Sequence, residues 1–265
     1  MERLQSFAQR GEHFVTFWGH YSAGKSRLIN NLLGRHILPV QSLETTAALT
    51  YIRYGGFEEC VIHFINGEEQ SVELSQLKEI YQDTSQDIDL ESIDYIEVFL
   101  AEKVLKSGMI LVDTPGINTI IQRHQELAVD AIEQSGMIVY VLGTSPTKVD
   151  QDFISQIDQC GIDILFVRTK CDRINPEEED EQAAVEKDRE ILQTMVSQKV
   201  EMIPVSNEEN SHWYENLSRV YEVLEKVSVN IQDRIRMAIP HRLSRHVEEY
   251  RKELQEQREL IQEQL

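Results

Sequence analysis

Between Gly19 and Ser26 the sequence reads "GHYSAGKS": a glycine, four residues, then Gly-Lys-Ser. Those types at that spacing suit the holding of phosphates. Backbone N–H groups of Gly19, His20, Tyr21, Ser22 and Ala23 form a nest, and Gly24, Lys25, Ser26 and Arg27 continue it into a helix N-terminus that favours negative charge. The Lys25 ammonium neutralises the outer phosphates, and the Ser26 hydroxyl is placed to ligate Mg2+. Such a loop works only between a buried strand and a helix. "HFVTFWG" before it is a continuous apolar run, and "SRLINNLLG" after it sets Leu28, Ile29, Leu32 and Leu33 on one helical face closed by Gly34.

Two further stretches also follow apolar runs. In "LVDTPG", Asp113 can hold the Mg2+ through its water shell while the Gly116 N–H senses the terminal phosphate. In "RTKCD", spanning Thr169, Lys170 and Asp172, a carboxylate can accept from both the ring N–H and the exocyclic amine of guanine. Adenine offers no such donor pair. Charge-assisted hydrogen bonds contribute about 1.5–3 kcal/mol each, so two select guanine by orders of magnitude. Lys170 would lie along the base. "IPVSN" could complete the base pocket with a backbone N–H near Ser206 or Asn207, or be a plain strand end. Between the first helix and second strand, Thr45 and Thr46 are candidates for a magnesium contact that orders with the terminal phosphate, Thr46 being preferred.

These loops need a scaffold. "AALTYIRYGG", "ECVIHFING" and "DYIEVFLA" read as strands, with a polar, partly helical insertion around "ELSQLKEIYQ". "GMILVDTPG", "GMIVYVLGT", "DILFVRTKCD" and "VEMIPVSN" follow, with helical patterns between them. That alternation predicts an α/β fold: a mostly parallel central sheet flanked by helices, with functional loops at the carboxyl ends of the strands. The acidic run "NPEEEDEQ" reads as an exposed helix start, with Pro176 and the carboxylates favouring the helix N-terminus. Leu4, Phe7 and Ala8 mark a short N-terminal helix over residues 1–11, ahead of a domain over 12–212. Residues 213–265 read as helix, with Trp213 and Tyr214 packing its start on the core. Ile235, Ile239, Leu243, Val247, Tyr250 and Leu254 form a stripe that Pro240 would kink, and the chain reads as a piece of a longer protein.

The 265 residues carry 41% hydrophobic and 27% charged side chains, enough for one substantial core. A net charge of -20 argues against nucleic-acid binding, because a polyphosphate would be repelled. Cys60, Cys160 and Cys171 are widely spaced, which suggests neither a disulfide framework nor a zinc site and fits a reducing cytoplasm. No run approaches the roughly 20 apolar residues that span a bilayer.

"GHYSAGKS", "LP" followed by "TTA", "DTPG" and "TKCD" together resemble the GTPase domain of the dynamin superfamily, most closely its bacterial dynamin-like members, over residues 10–210. The resemblance implies a P-loop GTPase domain that binds GTP or GDP with Mg2+ and dimerises through its nucleotide face, with itself or a sister domain. It also implies a neck built from the N- and C-terminal helices. Hydrolysis stimulated by that contact would tether, bend or fuse membranes, placing the protein in the cytoplasm, peripheral at a membrane reached through regions outside this chain. Ser22 matches the family's loop serine, which helps place a K+ or Na+ ion in several members. The departure is Tyr21, where eukaryotic dynamins carry a glutamine that helps orient the attacking water; a phenol, whose donor and acceptor share one oxygen, cannot mimic an amide that donates from nitrogen and accepts at a separate oxygen. Ile117, after Gly116, likewise cannot orient water. Slow basal hydrolysis, improved by a second domain, is the expectation; a slow-turnover binding switch is the alternative.

Overall fold

A computed structural model describes residues 12–40, 48–81, 88–115, 131–132, 135–177, 179–229 and 251. Nine strands form one sheet: β1 His13–Trp18, β2 Thr50–Tyr54, β3 Glu59–Phe64, β4 Glu69–Val72, β5 Ile93–Leu100, β6 Met109–Asp113, β7 Ser135–Leu142, β8 Asp163–Arg168 and β9 Glu201–Pro204. Their order is β4-β3-β5-β2-β6-β1-β7-β8-β9. β6, β1, β7, β8 and β9 run parallel, and β2 pairs with β5 in parallel. β2 is antiparallel to β6, and β3 is antiparallel to both β4 and β5. The expected mostly parallel α/β sheet is therefore present, with an antiparallel extension on one side.

Strand β4 was not foreseen. "EQSV" is polar and largely exposed, so it lacks the apolar alternation that marks a strand, and it forms because it can pair along the edge of β3. Its signal was the Asn66-Gly67 pair, a hairpin turn with Gly67 at φ 86. The helices are α1 Lys25–Leu33, α2 Leu77–Tyr81, α3 Lys148–Gln159 and α4 Glu181–Gln193. α4 starts within the acidic run, at Glu181, where the Asp180 side chain caps it by accepting from Ala183 N–H at 2.8 Å.

β1 is buried along its whole length, which requires cover on both faces. Val15 and Phe17 join Leu28, Ile29 and Leu33 of α1 in one cluster. On the other face Trp18, Tyr140 and Phe166 pack with Ile154 and Ile157 of α3 and Val185 and Leu192 of α4. The helical run 217–229 belongs to the first of these cores: Leu217, Val220, Leu224 and Val227 are buried with Val15, and Ser228 pairs with His13 at 3.1 Å. Trp213 is buried and donates Nε1–H to Glu181 at 2.9 Å, while Tyr214 packs on the α1 side. The residues 1–11 and the stripe from Ile235 to Leu254 with Pro240 lie outside the described residues.

Candidate functional site

β1 ends directly into the phosphate loop. Gly19 has φ 148, and a Cβ there would sit 2.2 Å from the Val141 carbonyl oxygen of β7, so only glycine passes under that strand. Gly24 opens α1 in the left-handed region, and no side chain caps the helix and no acidic residue occupies its first turn. Its first N–H groups are thus left for an anion. Ser22 and Lys170 are the two non-glycine residues with positive φ among the described residues, at 60 and 57. The two meet, with Lys170 Nζ donating to Ser22 Oγ at 3.4 Å. Backbone held in that region by the surroundings costs about 1–3 kcal/mol and is a mark of functional loops.

Lys25 is 7% exposed and donates to the carbonyls of Gly19 at 2.9 Å and His20 at 3.1 Å. Burial pushes its ammonium down to about 8, against the raising influence of Asp113. At the end of β6, Asp113 accepts from Ser26 Oγ at 2.7 Å. Burial pushes its carboxyl up to about 6, with Lys25 and Ser26 opposing the rise. Asp113 Oδ1 is buried with no hydrogen-bond partner. An unsatisfied buried carboxylate oxygen beside a serine hydroxyl suits a hard divalent cation, so the residues present fit Mg2+. Thr114 Oγ1 ties the end of β6 back to Phe17 O at 2.7 Å.

The base motif closes against the same loop. Thr169 Oγ1 donates to the carbonyl of Ala23, and a Cβ on Gly24 would come within 3.4 Å of that hydroxyl and 3.3 Å of Asn207 Nδ2. Asp172 Oδ1 accepts from Ser206 Oγ at 2.6 Å. Ser206 thus acts through its hydroxyl, since its own N–H goes to Trp213 O at 3.3 Å. Asn207 Oδ1 accepts from Asn31 Nδ2 at 2.9 Å. Burial and the nearby Arg173 and Arg168 lower the affinity of Lys170 for its proton. Arg27 Nη1 pairs with Glu208 at 2.9 Å, which draws its side chain towards the Ser206–Asn207 loop.

The fold therefore brings together Gly19–Arg27, Asp113, Thr169–Asp172 and Ser206–Asn207. Thr45, Thr46, Gly116 and Ile117 lie outside the described residues. Sequence reading passed over the buried Arg168, whose Nη1 donates to Thr169 O at 2.7 Å and whose Nε donates to Asp188 at 2.9 Å. It also passed over Asp150, although Thr147-Lys148-Val149-Asp150 has the spacing of a capping box.

The sequence model of the Dynamin family matches residues 15–171, more than half of the chain. The chain belongs to the dynamin family. Its described portion is the GTPase domain of that family. Dynamin-like protein A of Bacillus subtilis is 30% identical over 164 residues, covering 61% of this chain and 14% of the relative. Bacterial dynamin-like protein of Nostoc punctiforme is 28% identical over 149 residues, covering 52% and 21%. A solved structure described as an oligomerised bacterial dynamin pair superposes with a TM-score of 0.60 at 18% identity, covering 98% of this chain and 47% of that one, a likeness of fold. This dynamin-family chain spans less than half the length of the curated relatives it matches. Among its described residues no helix is long and apolar enough to cross a membrane.

Proposed function

We propose that this dynamin-family domain binds GTP and GDP with Mg2+ and hydrolyses GTP. The observation that carries the reading is the joint at Gly24, where a phosphate loop with a buried lysine meets a carboxylate loop suited to guanine. Ser26 and Asp113 would hold the Mg2+, which supplies charge neutralisation across the outer phosphates. Lys25 exchanges the carbonyls of Gly19 and His20 for phosphate oxygens, and burial strengthens each such contact. Asp172, braced by Ser206, accepts from the guanine edge while Thr169 keeps its loop on the phosphate loop. Gly116 N–H and Thr46, with Thr45 as the alternative, are assigned to the terminal phosphate and its metal. Ser22 would offer one neutral oxygen to a K+ or Na+ ion, with the Lys170 ammonium already beside it.

Self-association through the nucleotide face, with hydrolysis stimulated by it, belongs to the same proposal, as does membrane remodelling, tethering or fusion through regions outside this chain. The matched bacterial dynamin pair is described as sensing and tethering membranes over long range, which supports that direction. A cytoplasmic, membrane-peripheral location follows from the same reading. Residues 1–11 and the helix after 212 are proposed to lead into a neck, and the charge of -20 weighs against nucleic acid as a partner. The test is GTP turnover per molecule against protein concentration, in potassium and in sodium, with Lys25→Ala as the blank. Turnover rising with concentration supports the dimer-stimulated enzyme. Tight GTP binding with negligible turnover at every concentration would instead select the binding switch, for which the phenol at Tyr21 is the favouring feature.

A further inference from the structure

One buried carboxylate beside the phosphate loop belongs to none of the nucleotide motifs. Asp150 is 1% exposed and sits in the first turn of α3. Its Oδ2 accepts from Thr147 N–H at 2.8 Å and from Thr147 Oγ1–H at 2.6 Å. Its Oδ1 accepts from the Tyr140 hydroxyl of β7 at 2.7 Å. A helix cap uses only the first of these oxygens. The second, held rigidly by Tyr140, faces His20 Nε2 at 3.2 Å. Among the described residues Nε2 is sealed from water and has no hydrogen bond of good geometry, so the Asp150 carboxylate is the polar group it sits against.

His20 is the residue that follows Gly19 in the phosphate loop, and its carbonyl accepts from Lys25 Nζ at 3.1 Å. Gly19 is itself lodged under Val141. The half of the loop that surrounds the lysine is thus anchored to β7 and to α3. The other half, from Ala23 onward, is anchored to the base motif through Thr169, and Asn31 of the following helix donates to Asn207. We propose that Asp150 is a positioning residue which, through the His20 ring, fixes the first half of the phosphate loop and so favours the terminal phosphate of GTP. The assignment rests on the GTP-binding reading of this site and deepens it: base contacts serve GDP and GTP alike, whereas the Asp150–His20 strut serves the end of the loop where the lysine meets the outer phosphates.

The experiment titrates the full chain, with Mg2+, using GDP and a non-hydrolysable GTP analogue. The variants are His20→Ala, His20→Gln, Asp150→Asn and the double variant His20→Ala/Asp150→Asn. His20→Ala is expected to weaken the analogue about tenfold and GDP less than about threefold, the scale of one close polar contact to a buried carboxylate. His20→Gln, whose amide Nε2 can still donate to Asp150, restores most of the loss. The double variant binds the analogue no more weakly than the worse single variant, because both remove the same strut. Equal weakening of GDP and the analogue, no weakening, a glutamine no better than alanine, or additive losses would each overturn the assignment. If Asp150→Asn does not fold because α3 loses its cap, the two His20 variants decide alone. Failure of the unaltered chain to bind either nucleotide overturns the GTP reading itself; binding by that chain with the variants unmoved overturns the strut only.

Discussion

Replacing Ser206 by alanine removes the hydroxyl that donates to Asp172 at 2.6 Å, and leaves Glu208 N–H without the acceptor it has at 2.9 Å. Ser206 is wholly buried, so water does not follow the lost hydroxyl into its place. A hydrogen bond to a charged group is worth about 1.5–3 kcal/mol. Asp172 is exposed, so water recovers part of that on the carboxylate side. A net loss of about 1–1.5 kcal/mol remains once guanine covers the carboxylate, or roughly tenfold in affinity. Because the base is common to both nucleotides, GDP and GTP should weaken by the same factor. Titration with a fluorescent guanine nucleotide, in parallel with thermal melting, measures this. Unchanged affinities in a folded variant, or a loss confined to GTP, would refute the placement of Ser206 behind the base.

Three other outcomes follow from the packing. Gly19→Ala would push a methyl 2.2 Å from Val141 O on a backbone at φ 148, and should destabilise the fold by about 3 kcal/mol or more, read by urea denaturation. Leu224→Ala should cost about 2–5 kcal/mol by the same assay, because Leu224 is buried in the core that holds α1; a loss under about 0.5 kcal/mol would detach the run 217–229 from the domain. Burial pushes the Cys60 and Cys171 thiols up to about 12, so at pH 8 only about one molecule in ten thousand carries either as thiolate. Both should resist a thiol reagent in the native protein and react on unfolding, as followed by mass spectrometry.

The parts of the site legible from sequence were those in which chemistry and position lie in one short stretch. "HFVTFWGHYSAGKSRLINNLL" contains its own strand, loop and helix, so the surroundings of Lys25 could be anticipated before any fold was known. Asp113 and Asp172 were found in the same way, each following an apolar strand that projects it from the carboxyl edge of the sheet. β4 escaped because a polar edge strand owes its existence to the ladder offered by β3 and not to its own pattern. The start of α4 was legible as the acidic run 175–182, but the letters do not say which of its carboxylates caps the helix, and the structure gives that place to Asp180.

By itself, then, the sequence determined a GTPase α/β domain of the dynamin type and where its proposed phosphate and base loops fall along the chain, since these depend on local spacing, helix ends and strand burial. Only the tertiary structure decided which distant residues those loops lean on. It set Ser206 behind Asp172 across 34 positions and Asp113 against Ser26 across 87. It also placed Asp150 beside His20, and brought Leu224 under the sheet that carries the phosphate loop. The physical reason is that such contacts are fixed by the order in which parallel strands assemble, and a short-range pattern carries no record of that order.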